Sequence, residues 1–424
     1  MYSVTLGDAI TVFGSFGIDL DYTVRLKLRL SDMIDDEILK EAVDKTRQRY
    51  PYLCVRMKKN NENFFYEENP APIAVLHTDS SIRLNTEETN YHVWCVCYYE
   101  DWICLDFYHG ITDGTGMYMV LATLLYYYCE KRYGVTDHTG IRTLDDTILP
   151  EETIDPMEHL PSIDLSGRQA PQTVPVFSLA ADAGLTHSST QIWDIEIPEE
   201  AFVSFSSAND ASPGTMISIL FARAIDALYP EREKIIMSRY SVNARPMLHA
   251  KETHHNCLSG VVFPYTDRVK TLPFKTQCTV HRGATFIQSD AEKVCGQLIG
   301  VASYVRSILQ GLPTLEGKKQ AFGQIMSGGD TAFTYMVSYV GQWRLKALSP
   351  YILEFWTHVP SANPLVIEIA AVNGKLFLSV HQTFREDLII RSFQRQLEEN
   401  GIPFQLRQPV KPDNARFPEP DIGL

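Results

Sequence analysis

Long hydrophobic runs are missing from this sequence, and positive charge is scarce in it. No stretch of the 424 residues approaches the ~20 consecutive apolar residues that a membrane-spanning helix requires. No lysine or arginine precedes Arg25, whereas a secretory signal peptide begins with positive charge. Lys and Arg number 38 against 52 Asp and Glu, a net charge of −14, which disfavours nucleic acid and anionic membranes as partners. We therefore expect a cytoplasmic protein with no membrane span.

Cysteine is also scarce, with eight residues in the whole chain, too few for a disulfide scaffold. Cys95 and Cys97 are separated by one residue, so the C-x₂-C spacing of most zinc sites is missing. His254 and His255 stand near Cys257, but adjacent side chains of a strand point to opposite faces and are poorly placed to share one ion. We expect eight free thiols and no metal site.

What the sequence does contain is the composition of an ordinary globular protein, with 45% hydrophobic and 21% charged residues. The stretch from Tyr22 to Leu30 alternates apolar and polar residues, which is typical of a half-buried strand. The stretch from Ile34 to Arg49 instead places its apolar residues on one helical face. Similar patterns predict strands over 91–97, 102–108, 191–197, 235–242, 261–265, 335–340, 365–372 and 375–380, and helices over 117–131, 215–228, 291–310 and 386–399. The sequence thus predicts the α+β class.

Residues 137–190 separate two such regions and contain scattered prolines and frequent acidic residues. That composition is typical of a long connection over a surface. We therefore predict an N-terminal half over 1–175, a crossover linker over 176–190 and a C-terminal half over 191–424. Because both halves are rich in strands and similar in size, we expect two related domains with a cleft between them.

His109 is the strongest candidate for chemistry. It follows a predicted strand and precedes a turn that contains three glycines: Gly110, Gly114 and Gly116. Glycines allow the turn to take unusual torsions. A histidine with an ordinary pKa near 6.5 can serve as a general base near neutral pH. From the residues alone, a satisfied or merely exposed histidine is an equal alternative, and Asp113 can either hold the turn in shape or orient the ring.

The run from His109 to Gly114 resembles the HxxxDG motif of the chloramphenicol acetyltransferase-like superfamily of acyltransferases. Four further segments resemble that superfamily in the same order along the chain. They are Arg49–Leu53, similar to RHPxL; Ser212–Thr215, similar to the start of the second half; Tyr240–Pro246, similar to the NxRP-type segment; and Ser338–Gly341, where relatives carry SNxG or DFGWG. The resemblance covers most of the chain. It implies two related mixed-sheet domains with a tunnel between them.

The sequence departs from the superfamily pattern at several positions. Tyr108 stands where condensation domains carry the first histidine of HHxxxDG, which disfavours a peptide-synthetase role. Cys54 stands where the superfamily carries an arginine, and Arg56 follows two residues later. Asp113 therefore has two candidate partners. We favour Arg245 of the NxRP-type segment, with Arg56 as the next candidate.

The resemblance implies direct transfer of an acyl group from a coenzyme A thioester to an acceptor hydroxyl or amine. His109 would be the base, Asp113 would fix the turn through Arg245, and Ser338 would stabilise the oxyanion together with amides near Gly341. Asn243 and Gly114 would support the site. Acyl-CoA would be a co-substrate, with no cofactor bound permanently. The alternatives are a carrier-protein-dependent or condensation-like natural-product acyltransferase, with an acyl-carrier protein as partner, and a non-catalytic binding member of the superfamily.

Overall fold

The computed structural model describes residues 2–164, 174–328, 332–342, 345–360, 362–411 and 417–421. The first half contributes β1 (Tyr2–Ser3), α1 (Leu6–Gly17), β2 (Thr23–Leu30), α2 (Asp36–Arg49), β3 (Val55–Lys59), β4 (Phe64–Glu68), β5 (Val75–His77), β6 (Trp94–Tyr99), β7 (Trp102–Tyr108) and α3 (Gly114–Tyr133). Two short 3₁₀ turns follow, at Pro150–Thr153 and Pro156–His159.

The second half contributes further strands and helices among its described residues. They are β8 (His187–Pro198), α4 (Glu199–Ala208), α5 (Pro213–Leu228), β9 (Ile236–Asn243), β10 (Leu258–Tyr265), α6 (Asp267–Lys270), α7 (Phe274–Gln288), α8 (Ala291–Gly311), α9 (Leu315–Ser327), β11 (Tyr335–Gln342) and β12 (Ile352–His358). The chain then forms β13 (Leu365–Val372), β14 (Lys375–Phe384), α10 (Leu388–Glu399) and β15 (Gln405–Leu406). No helix of the described residues is long and apolar enough to cross a membrane.

The described strands form two large mixed or antiparallel sheets and a small one. The largest has the order β10-β9-β11-β13-β14-β8-β15, the second has the order β12-β2-β7-β6-β5, and the small sheet has the order β1-β4-β3. β12 comes from the second half of the chain but pairs antiparallel with β2 of the first half. No single cut in the sequence, at 176–190 or elsewhere, therefore separates the two large sheets.

The alternation of β2 explains how its sheet packs. Val24, Leu26 and Leu28 are buried in the core of the first half, while Thr23 and Lys27 on the opposite face are only half-buried. A strand with one apolar face must bury that face against other elements, and here α2 and α3 belong to the same core. The first residue of the strand, Thr23, is therefore held in a fixed orientation beside Tyr108 and the turn that follows.

The largest sheet also has two different faces. One face, which includes Ile367 and Leu378, packs into the core that contains α5 and α10. The opposite face, called here the inner face, packs on β12: the ring of Phe377 meets the ring of Trp356 edge-on at 4.8 Å. Ser338 is directly paired with Glu368 on the inner face. The inner face therefore lies toward the sheet that carries His109.

The segment expected to be a surface connection is partly buried. Glu152 is fully shielded from solvent, and Asp155 and Met157 are 3% and 4% exposed. The prediction for 137–190 was wrong on this point, because the acidic side chains of the two 3₁₀ turns have partners in α1 and α2. Residues 165–173 lie outside the described residues.

Candidate active site

His109 is held at the end of β7 by its backbone and its ring. Its backbone N–H donates to the carbonyl of Tyr22 at 2.9 Å, and its carbonyl accepts from Asn256 Nδ2 at 3.0 Å. Its ring lies 4.7 Å from the ring of Tyr22, centre to centre. Burial lowers the pKa of His109 below its usual 6.5, although nearby Asp113 and Asp8 oppose that shift. The half-buried imidazole is therefore neutral near pH 7 and able to accept a proton.

Asp113 closes the turn by capping α3. Its Oδ1 accepts from the backbone N–H of Gly116 at 3.0 Å, which satisfies one of the free amides at the helix start. Gly116 is required here, since a Cβ would lie 2.1 Å from Thr112 Oγ1 and 2.7 Å from the carbonyl oxygen of His254. Gly114 is the first residue of α3. None of Gly110, Gly114 and Gly116 has a positive φ, so the turn uses its glycines for close packing and the expected unusual torsions are not found.

Asp113 also forms a buried ion pair with Arg245. The guanidinium donates from Nη1 to Oδ2 at 2.9 Å and from Nη2 to Oδ1 at 2.8 Å, a bidentate geometry. The side chains of Asp113 and Arg245 are 0% and 2% exposed. The structure thus pairs Asp113 with the arginine favoured from the sequence, and Arg56 instead pairs with Glu67.

The remaining donors of Arg245 are also satisfied. Nε donates to the carbonyl of Thr253 at 2.9 Å, and Nη2 donates to the carbonyl of His255 at 2.8 Å. Asn243 Oδ1 accepts from the backbone N–H of Arg245 at 3.1 Å. The N–H of Cys257 donates to Asp113 at 3.0 Å. The segment 253–257 therefore lies directly against the His109 turn.

A second network joins this segment to α1 through Asp8. His255 Nδ1 lies 2.7 Å from Asp8 Oδ2, and its Nε2 lies 3.0 Å from the carbonyl of Thr153. Both partners are acceptors, so both ring nitrogens carry protons. Burial lowers the pKa of His255, but the charge of Asp8 outweighs burial and raises that pKa to about 9. Asp8 Oδ1 also accepts from Asn256 Nδ2 at 2.7 Å, which links Asp8 to the His109 carbonyl.

A third network joins the same segment to α2 through Glu152. Arg49 donates to both Glu152 oxygens, at 3.0 and 2.8 Å. Burial raises the pKa of Glu152, but the hydrogen bonds from Arg49 and a tyrosine hydroxyl outweigh it and bring that pKa to about 2. The Glu152 carbonyl accepts from the N–H of His254 at 3.1 Å. Thr112 in turn donates to the His254 carbonyl. His254 and His255 thus face different partners.

The other residues singled out in the sequence have varied surroundings. Ser338 is half-buried on β11, and a β-bulge separates Tyr339 from Gly341. Among the described residues no hydrogen bond joins Ser338 to His109, whose Nδ1 has no partner. The hydroxyls of Tyr108 and Ser15 are hydrogen-bonded at 2.9 Å. Tyr108, which stands where condensation domains carry the first histidine of HHxxxDG, therefore packs against α1. Cys54 is buried, and burial raises its pKa to about 12.

Comparisons with known proteins were made for sequence and for structure. No family model matches the sequence, and no curated protein matches it. TRI101 from F. graminearum, complexed with coenzyme A and T-2 mycotoxin, superposes with a TM-score of 0.63 and 10% identity, covering 96% of this chain and 99% of that one. The chain shares this fold. Polyketide synthase associated protein 5 from Mycobacterium tuberculosis superposes with a TM-score of 0.60 and 12% identity, and the match covers 93% of this chain and 96% of that one.

A third solved structure extends the likeness. TRI3 trichothecene 15-O-acetyltransferase from Fusarium sporotrichioides gives a TM-score of 0.57 and 11% identity, covering 94% of this chain and 93% of that one. Identities this low establish the fold alone. The expectation of an α+β chain with two large mixed sheets is thereby confirmed over nearly the whole length.

Three residues of the site were missed in the sequence: Asp8, Glu152 and Asn256. Asp8 lies near the amino terminus in a stretch where no helix was predicted, and Glu152 lies among prolines and other acids. Asp8 is the one acid in a largely apolar stretch, and this pattern is a usable signal, because an acid buried among apolar residues needs a partner. Glu152 and Asn256 have no comparable local pattern.

The buried ion pair makes a specific prediction about stability. Asp113→Asn and Arg245→Ala should each lower the free energy of unfolding by about 3–5 kcal/mol, because each leaves a buried charge without its partner. The double variant should lose clearly less than the sum of the two. Urea denaturation provides the measurement. Arg56→Ala is the matched control, and loss of its surface pair with Glu67 should cost at most about 1 kcal/mol. Additive losses would contradict the coupling.

The Asp8–His255 pair makes a prediction about pH. The pKa of His255 rises from 6.5 to about 9 on folding, so its stabilisation is complete below pH 6.5 and is lost as the pH rises through 9. Between pH 6.5 and 9 the wild type should lose about 3 kcal/mol more unfolding free energy than His255→Gln. Urea denaturation of both proteins at the two pH values measures the difference. Equal losses would show that His255 is neutral in the folded protein.

Proposed function

We propose that this protein is an acyltransferase that moves an acyl group from a coenzyme A thioester to an acceptor hydroxyl or amine. The observation that carries the proposal is a neutral, half-buried imidazole at a strand end, next to a turn fixed by a buried ion pair. The fold adds support, because TRI101 with this fold was crystallised with coenzyme A and T-2 mycotoxin together. T-2 mycotoxin and deoxynivalenol in those complexes point to a small-molecule acceptor.

In this reaction His109 acts as the general base. Its Nδ1 is shielded from solvent, which leaves Nε2 to meet the acceptor. As the acceptor oxygen or nitrogen attacks the thioester carbonyl, Nε2 takes its proton. The tetrahedral intermediate then collapses, the carbon–sulfur bond breaks, and the thiolate of coenzyme A recovers the proton from the imidazolium. Both substrates must be bound together, and no acyl group is attached to the protein.

The negative oxygen of the intermediate needs hydrogen-bond donors that are already in place. Ser338 is our candidate side chain, because it is half-buried on the inner face. The amides near Gly341 are candidates because a bulge leaves one residue of β11 out of register with β13 there. Asp113, Arg245, Asn243 and Gly114 take no part in proton transfer. They hold the turn that positions His109.

A carrier-protein thioester is the second candidate donor. It is favoured by the likeness to polyketide synthase associated protein 5. The two donors are distinguished by presenting the same acetyl group on coenzyme A and on a phosphopantetheinylated acyl-carrier protein, with the same acceptors. Transfer from the carrier protein alone would replace coenzyme A in the proposal. Absence of transfer from both would favour a non-catalytic role.

His109→Ala should lower kcat for acyl transfer by about 10²–10⁴-fold, because the acceptor loses the base that removes its proton. Thiol release from a panel of acyl-CoAs with alcohols and amines is the measurement, and the melting temperature should change little. The control is His187→Ala, which removes an exposed histidine at the start of β8. Turnover of His109→Ala close to that of the wild type would exclude His109 as the base.

The pH dependence of kcat/KM provides a separate test of the base. Because burial lowers the pKa of His109, the imidazole should stay neutral and active down to a pH below 6.5. The acidic limb of the kcat/KM profile should therefore fall below pH 6.5. If the acidic limb of the kcat/KM profile lies well above pH 6.5, the titrating group is not His109.

A further inference from the structure

Glu368 is a buried carboxyl group that the proposed mechanism does not use. It lies on β13 and is 6% exposed. It is directly paired with Ser338 of β11 on one side and Ser379 of β14 on the other, so all three share the inner face. Ser379 donates its hydroxyl to Asp194. The hydroxyl that acts on Glu368 is that of Ser338, the candidate oxyanion residue, which lowers its pKa in opposition to burial.

Glu368 lies on the inner face, which is turned toward the sheet that carries His109. Its charge adds to burial in raising the pKa of Tyr22 to about 12, and the ring of Tyr22 packs on the ring of His109. Its charge also adds to burial in raising the pKa of Tyr118, which belongs to α3, the helix that begins at the His109 turn. The charge of Glu368 thus acts on two tyrosines, one of which, Tyr22, packs on the ring of His109.

Among the described residues, Glu368 differs from other deeply buried acids in having neither a cation nor a backbone N–H as partner; Asp155, which also has no cation, accepts from the N–H groups of Gly7 and Met157. Asp106 pairs with Arg25, Glu152 with Arg49 and Asp113 with Arg245. No lysine, arginine or histidine of the described residues lies within 4.0 Å of a Glu368 oxygen. Burial accordingly raises the pKa of Glu368 to about 7, and the hydrogen bond from Ser338 only reduces that shift. A buried acid without a cation destabilises the fold, so its placement on the inner face next to Ser338 points to a ligand.

We propose that Glu368 recognises the acceptor by accepting a hydrogen bond from a second polar group, so that the acceptor is bifunctional. This inference rests on the proposed acyl transfer. One group of the acceptor faces His109 and is acylated. The second group, a hydroxyl or an ammonium, donates to Glu368 across Tyr22. A diol or an amino alcohol is therefore a better substrate than a simple alkanol of the same length.

The proposal is tested with matched acceptors and acetyl-CoA as the donor. The acceptors are alkanols, terminal diols and amino alcohols of four to ten carbons, compared at equal length by the rate of thiol release. The wild type should prefer bifunctional acceptors by about 10- to 100-fold in kcat/KM, the strength of one hydrogen bond to a charged group. The preference should lie in the acceptor KM, and the KM of acetyl-CoA should not depend on the second group.

Variants of Glu368 identify the source of this preference. Glu368→Ala should abolish it, measured within the variant as the ratio of kcat/KM for a diol to kcat/KM for the alkanol of the same length. Glu368→Gln, which keeps the shape and an acceptor oxygen, should retain part of the diol preference and lose the preference for an ammonium group. The control is Glu196→Gln, which changes an acid on the same face that already pairs with Lys375. Melting temperatures of all variants verify folding.

The outcomes separate the two proposals. Transfer by the wild type with no preference for bifunctional acceptors, or with a preference that survives in Glu368→Ala, would overturn the assignment of Glu368 alone. No thiol release with any acceptor, while the wild type is folded, would overturn acyl transfer from coenzyme A and the Glu368 assignment with it.

Discussion

The Asp113–Arg245 ion pair is the interaction on which the arrangement of the site depends. It joins the turn before α3, in the first half of the chain, to the segment after β9, in the second half. Both charges are removed from water, so neither is stable without the other. The bidentate geometry allows one relative position of the two segments. Because His109 lies four residues before Asp113, this same contact fixes the His109 turn relative to the inner face of the largest sheet.

The elements with strong periodic patterns were predictable from the sequence, and α1 and α9 were not. β2 alternates strictly, and the strand–turn–helix around His109 has clear ends at Tyr108 and Asp113. α1 instead contains three glycines, which weaken the local helical signal. Those glycines permit close packing: a Cβ on Gly17 would lie 2.1 Å from the carbonyl of Lys319 in α9. Tertiary contact therefore stabilises a helix that local propensity does not predict.

The candidate site was predictable only where its residues form a compact motif. His109, Asp113 and Arg245 stand in short recognisable segments, and the resemblance linked them across the chain. Asp8 contacts Asn256 across 248 positions, and Arg49 contacts Glu152 across 103. Contacts over such separations leave no local pattern, and the pairing of β12 with β2 is hidden for the same reason. The acidic, proline-rich segment before β8 resembles a surface connection because its partners lie in other elements.

In the proposed reaction the acyl group passes directly from coenzyme A to the acceptor. The most direct measurement uses radiolabelled acetyl-CoA with the best acceptor of the panel, followed by rapid quenching and separate counting of the protein and the product. We expect the amount of label on the acceptor to equal the amount of released thiol. We also expect no label on the protein, whether the acceptor is present or absent. Label on the protein in the absence of acceptor would show an acyl-enzyme and contradict the role given to His109.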